Sequence, residues 1–106
     1  MKIKIVSLDT KLTDDMRGSV ENLLNLVLGR FADRIANVMV HLSDVNNPHH
    51  KAATKVRIEV ILVPAKKIII EDQDADLTTA INRAAKQLAR SVKRRLEQEA
   101  DGLSKT

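Results

Sequence analysis

The residues whose types and spacing best suit a chemical task are the cations between residues 83 and 95. Six lysines and arginines and no acid occupy this stretch: Arg83, Lys86, Arg90, Lys93, Arg94 and Arg95. At about 100° of rotation per residue, a helix over Leu77 to Leu96 places these cations, except Arg95, opposite an apolar stripe. Clustered cations of this kind bind the phosphates of a polyanion. The pattern therefore predicts a helix with one buried face and one positive face that binds a partner.

A cationic helix face can also be plain solvent-exposed surface that complements the helix dipole. Surfaces of that kind usually mix charges of both signs and gain ion pairs four residues apart. Here only Glu97 joins the cations, and the acids gather elsewhere, at Asp14, Asp15 and residues 72–76. This segregation of charge favours the binding interpretation.

The shortage of aromatic side chains narrows the class of ligand. Phe31 is the only aromatic residue in the chain, whereas proteins that bind single strands stack the bases on aromatic rings. Contact should therefore be to the phosphates and sugars of structured nucleic acid, recognised by its shape. Double-helical RNA fits this description best.

Catalytic and metal-binding patterns are weak in comparison. The chain has no cysteine, and the pair His49 and His50 lacks the helical spacing of a zinc motif. The acids of residues 71–76 lack the glycine and the later glutamate of a calcium loop. Three glycines cannot build a loop that cradles phosphates. We therefore predict a protein that is not an enzyme, with no catalytic residues, metal, cofactor or small-molecule substrate.

The elements that must position the basic helix can be read from periodicity. Strand alternation covers Lys2 to Val6, Asn37 to Ser43 and Lys55 to Val63, and a further strand at Lys66 to Glu71 is built on three consecutive isoleucines. Apolar residues at helical spacing follow Thr13, a good N-cap, for about 18 residues, and Asp76 is the expected N-cap of the second helix. Residues 44–54, rich in asparagine and containing Pro48, are expected to form a loop.

This order predicts an α+β fold: a two-layer β-α-β-β-β-α arrangement, with a four-stranded mixed sheet and both helices packed on one face. The first helix is long enough for a right-handed crossover between parallel strands, and the last three strands form an antiparallel meander. The 106 residues predict one domain, residues 1–98, with a frayed tail at 99–106.

Net charge is +4, which favours phosphate-rich partners. No segment approaches the roughly 20 apolar residues that span a bilayer, so no membrane partner is predicted. Together with the missing cysteines, this pattern fits a cytoplasmic protein.

Two segments, 31–44 (FADRIANVMVHLSD) and 74–90 (DADLTTAINRAAKQLAR), resemble the ribosome hibernation-promoting factor family, also called ribosome-associated inhibitor proteins. The resemblance extends over roughly residues 1–98, and the chain is similar to the short, single-domain and somewhat divergent members. It implies the β-α-β-β-β-α fold and a translation inhibitor of idle ribosomes. Such a protein binds the small ribosomal subunit and its 16S-type ribosomal RNA near the decoding centre, on the path of messenger and transfer RNA.

Carried over by position, the last helix is expected to contact ribosomal RNA phosphates through Arg83, Lys86, Arg90, Lys93 and Arg94. Further candidates for RNA binding are Lys2, Lys4, Arg30 and Arg34. The chain departs from the family in the later turns of the first helix, where usually basic positions carry other residues: Glu21, Asn22, Asn25 and Leu26.

Two other hypotheses remain open at the level of sequence. The chain could be a shape-specific binder of duplex RNA off the ribosome. It could also be a protein-interaction module that uses the basic helix, or that pairs an exposed sheet edge into a weak homodimer.

Overall fold

The structure, a computed structural model, describes residues 1–8, 11–47, 50–64 and 66–104. Its strands are β1 (Lys2–Ser7), β2 (Ile35–Asn47), β3 (His50–Leu62) and β4 (Lys66–Asp74). Its α-helices are α1 (Asp14–Leu28) and α2 (Leu77–Ser104), and a short 3-10 helix (Gly29–Arg34) follows α1. The element order expected from the sequence is confirmed.

The four strands form one mixed sheet in the order β1-β2-β3-β4. β1 is parallel to β2, because α1 crosses over between them, whereas β3 runs antiparallel to both β2 and β4. Since the last three strands follow each other directly, they form the expected meander. The α+β fold with both helices on one face of the sheet is confirmed.

The core lies between this sheet face and the two helices. β2 and β3 supply most of its sheet side, with Val38, Val40, Leu42, Val56, Ile58, Val60 and Leu62 all buried. The helices close the core with Leu24 and Leu28 of α1 and with Leu88 and Val92 of α2. Alternation along each strand sends the remaining side chains to the other sheet face, which no helix covers in the part of the chain that the structure describes.

The prediction of a loop at residues 44–54 is wrong for most of that segment. β2 continues to Asn47 and β3 begins at His50, with Asp44 paired to Thr54 and Val45 to Ala53. Pro48 and His49 lie outside the described residues. The polar composition misled the prediction because backbone pairing across a hairpin does not require apolar side chains at each position.

The helix ends also differ from the expected bounds. α1 ends at Leu28, because the chain tightens into the 3-10 helix, instead of continuing for about 18 residues. α2 continues to Ser104, beyond the point at which fraying was expected. The N-cap of α1 is confirmed, since the Thr13 hydroxyl accepts a hydrogen bond from the Met16 N–H at 3.1 Å.

Candidate nucleic-acid interface

Helix α2 is fixed at its start by Asp76. The Asp76 carboxylate accepts a hydrogen bond of 2.8 Å from the Thr79 hydroxyl, and the Ala80 N–H donates to the Asp76 carbonyl at 3.1 Å. Hydrogen bonding from Thr79 lowers the pKa of Asp76 below its ordinary value. Asp76 is therefore the N-cap that the sequence predicts.

The buried face of α2 determines which side chains point to solvent. Ala84, Leu88 and Val92 are fully buried against the sheet. Because a helix turns about 100° per residue, its opposite side carries a row of exposed cations. This basic stripe consists of Lys86, Arg90, Lys93 and Arg94.

Most cations of the basic stripe have no carboxylate partner among the described residues. Among the described residues, no carboxylate lies within ion-pair distance of Lys86, Arg90 or Arg94, and Lys93 contacts Glu97 only at 3.9 Å. The Arg90 guanidinium makes one long hydrogen bond of 3.4 Å, to the Lys86 carbonyl. Exposed cations that repel each other along one face are available to an external anion.

Arg83 has a different environment. Its guanidinium makes two hydrogen bonds of 3.0 Å with the two carboxylate oxygens of Asp72, and it lies 3.2 Å from Asp74. It also donates to the Gln73 carbonyl at 3.0 Å. These contacts raise the pKa of Arg83 and lower the pKa of Asp72. Arg83 therefore joins the start of α2 to the end of β4, and its charge is balanced within the chain.

We expect the Arg83→Ala variant to melt at a lower temperature than the wild type, because it loses the bidentate bond that ties α2 to β4. The variant should still bind polyanions nearly as the wild type does, because Arg83 is already paired. Thermal unfolding and binding to double-helical RNA measure the two effects. The Lys86→Ala variant is the matched control, with the opposite expected pattern. Loss of binding in Arg83→Ala at unchanged stability would contradict this role.

The ion pair of Arg83 with Asp72 predicts that the stability of the fold depends on pH. The pKa of Asp72 is lowered from 3.8 by the hydrogen bond from Arg83 and by the Gln73 N–H. The contact therefore stabilises the fold above the ordinary carboxyl pKa, and this stabilisation is lost as pH falls through the lowered value. We expect the melting temperature of the wild type to decrease when the pH is lowered below about 4. The Asp72→Asn variant should show a smaller decrease. Equal drops in both proteins would contradict the linkage.

The other sequence-predicted cations are dispersed. The Arg34 guanidinium pairs with Glu99 at 2.6 Å and donates to the Val63 carbonyl at 3.1 Å, so it fastens α2 to the 3-10 helix. The Arg30 guanidinium lies 4.7 Å from the centre of the Phe31 ring. Lys2 and Lys4 project from β1 beside Met39 and Asn37, on the sheet face opposite α2. The structure thus brings Lys86, Arg90, Lys93 and Arg94 together and leaves Lys2 and Lys4 apart from them.

The outward side of α1 adds little charge to the basic stripe. Asn22 and Asn25 are exposed there, and Asp14 and Asp15 lie in the first turn. A groove of about 330 Å³ separates the N-terminal halves of the two helices, with Met16, Leu23, Leu77 and Ile81 in its walls. This groove could not be predicted from the sequence, because it arises only when the two helices pack side by side.

The described residues contain no group of three or more histidine, aspartate or glutamate side chains placed to hold a metal ion. Across those residues, no helix combines the length and the apolar character needed to cross a membrane.

Comparisons with known proteins give a family and a fold. The sequence model of the family described as Sigma 54 modulation protein / S30EA ribosomal protein matches residues 3–99. The N-terminal domain of protein Y from Thermus thermophilus is similar in structure, with 33% sequence identity and a TM-score of 0.73 over 89% of this chain and 98% of that one. A ribosomal subunit interface protein from Coxiella burnetii has the same fold, with 17% identity and a TM-score of 0.75 over 92% and 99% of the two chains. A comparison with curated proteins finds no match.

Proposed function

Because the chain belongs to the Sigma 54 modulation protein / S30EA ribosomal protein family, we propose that it is a non-enzymatic factor that binds the small ribosomal subunit and silences idle ribosomes. It occupies the decoding region of the subunit, where it blocks the path of messenger and transfer RNA. Its partner is the 16S-type ribosomal RNA, which it contacts through phosphates. The protein acts in the cytoplasm, where ribosomes are found.

The observation that carries the proposal is the basic stripe of α2. Lys86, Arg90 and Arg94 are exposed cations with no carboxylate partner among the described residues. They span about 12 Å of helix axis, which is long enough to contact several phosphates of a folded RNA. Because no described carboxylate neutralises these charges, their full attraction is available to the RNA.

The rest of the fold supports this use of the helix. The buried side of α2 fixes the orientation of the basic stripe through Leu88 and Val92, and Asp76 and Arg34 hold its two ends. A rigid helix loses little freedom when it binds, so more of the electrostatic attraction appears as affinity. Inhibition by occupying space requires no reacting group, which agrees with a site built of cations alone.

The ion pairs within the chain also separate the cations that contact RNA in this proposal from those that position α2. Lys86, Arg90, Lys93 and Arg94 form the main contact surface in this proposal, whereas Arg83 and Arg34 position α2 through their ion pairs. Lys2 and Lys4 project from the opposite sheet face and would require a second, separate RNA contact.

Sedimentation through sucrose tests the proposal. The purified protein is centrifuged with small subunits, with large subunits and with naked duplex RNA, each at low and at moderate salt. We expect co-migration with the small subunit that weakens as salt increases. Equal binding to naked duplex RNA would favour a general duplex-RNA binder. Absence of co-migration with the small subunit at low salt would contradict the proposed function.

A further inference from the structure

The outer edge of β4 has no partner strand in the described part of the chain. β4 is a nine-residue strand, and among the described residues it pairs only with β3. The other edge of the sheet, β1, is shorter, and the Arg17 guanidinium donates a hydrogen bond of 3.1 Å to its Ile5 carbonyl. Every second residue of an edge strand turns its N–H and C=O groups away from the sheet. β4 therefore offers the longer open row of backbone donors and acceptors.

The side chains of β4 are complementary to a second copy of the same strand. Its sequence, KKIIIEDQD, begins with two lysines, continues with three isoleucines and ends with acids. Two antiparallel copies centred on Ile69 bring the basic end of each strand beside the acidic end of the other. The opposed pairs are then Lys66 with Asp72, Lys67 with Glu71, Ile68 with Ile70, and Ile69 with its own symmetry mate.

The exposure of the Ile69 side chain supports the same register. Ile69 is 43% exposed and lies on the sheet face that no helix covers in the described residues. In the two-fold arrangement, the two Ile69 side chains cover each other. Opposite charges and β-branched side chains that face each other across strands both stabilise pairing. Moving the two-fold centre by one residue, to Ile70, would place Ile69 opposite Glu71 and Lys67 opposite Gln73. The contact between the two Ile69 side chains and the pair of Lys67 with Glu71 would then both be lost.

We propose that the chain forms a homodimer by antiparallel pairing of β4 with β4 of a second copy, centred on Ile69. The two four-stranded sheets then become one sheet of eight strands. Two features limit its strength. The acids that would face the lysines already have partners, Glu71 with Lys55 and Arg57, and Asp72 with Arg83. Arg94 and Arg95, which lie beside the edge, also approach their counterparts in the second copy. The contact is one strand wide, so the dimer forms only at high protein concentration.

Sedimentation equilibrium of the protein alone, up to about 1 mM, tests the dimer. We expect the wild type to associate and the Ile69→Lys variant to associate at least about tenfold more weakly, because two like charges then face each other at the two-fold axis. Leu26→Lys is the matched control. It makes the same change at a leucine that is 80% exposed on α1, and it should associate like the wild type. A monomeric wild type, or equal association of all three proteins, would overturn the proposal.

Exchanging the charges at positions 67 and 71 tests the register independently. Lys67→Glu should weaken association, and so should Glu71→Lys, because each creates a pair of like charges. A mixture of the two variants should associate like the wild type, since position 67 of one copy then faces an opposite charge at position 71 of the other. Circular dichroism confirms that each variant is folded. If concentration-dependent NMR shifts of the wild-type backbone amides lie outside β4, the proposed surface is wrong. These tests use no ribosome, so they are independent of the proposed function.

Discussion

The Lys86→Ala, Arg90→Ala, Arg94→Ala triple variant is expected to bind the small ribosomal subunit on the order of a hundredfold more weakly than the wild type at moderate salt. The three side chains are exposed, and no described carboxylate neutralises them. Under the proposed function, each contacts an RNA phosphate and displaces counterions. Removing them eliminates most of the attraction, while the buried side of α2 is unchanged. Fluorescence anisotropy of labelled protein with purified subunits measures the affinity.

The matched control for this variant removes the same charge elsewhere. Lys11, Lys66 and Lys67 are exposed and lie outside α2, so their triple alanine variant has the same net charge as the test variant. We expect it to bind within a few fold of the wild type, because only general attraction is reduced. Equal losses in the two triple variants would show that total charge, and not the basic stripe, determines binding.

The Leu88→Ala variant is expected to lower the free energy of unfolding by about 2–5 kcal/mol. Leu88 is fully buried at the centre of α2, where it packs against the sheet. Alanine would leave a cavity that the surrounding strands fill only in part. Urea denaturation at pH 7 measures the change in free energy.

Leu26→Ala provides the comparison for Leu88→Ala. The Leu26 side chain is 80% exposed on α1, so its truncation should change the free energy of unfolding by less than about 0.5 kcal/mol. A loss at Leu88 no larger than that at Leu26 would mean that α2 is not packed on the sheet as described.

The fold could be predicted from the sequence because its local signals agree with each other. Alternation along β3 separates Val56, Ile58 and Val60 from the outward Arg57 and Glu59, and the structure buries the first set. Thr13 and Asp76 mark the starts of the two helices, and both act as N-caps. The family resemblance, read from two segments, is also confirmed.

The long hairpin of β2 and β3 could not be predicted in the same way. Apart from Val45, residues 44–47 and 50–54 are polar or small and show no strand alternation, so their composition indicated a loop. Their extended conformation depends on pairing between residues of different strands, such as Ser43 with Lys55 and Val45 with Ala53. The end of α1 was also missed, since apolar spacing continues to Phe31 through the 3-10 helix.

The candidate site was predicted only in part, because sequence shows which charges are present but not which are neutralised. Arg83 and Lys86 occupy the same basic run. Only the packing of α2 on β4 shows that Arg83 meets Asp72 and Asp74. The pair of Arg34 and Glu99 joins residues 65 positions apart, which no local pattern indicates. The exposed cations left by these pairs form the basic stripe.

The salt dependence of binding to the small ribosomal subunit tests the proposed function most directly. The dissociation constant is measured between about 50 and 200 mM salt for the wild type and for the Lys86, Arg90 and Arg94 triple variant. Each lost phosphate contact should reduce the slope of the logarithmic plot by roughly 0.7–0.9, so the triple variant should lose about 2 to 3 from the wild-type slope. Identical slopes, or tight binding by the wild type that does not depend on salt, would contradict phosphate recognition by α2.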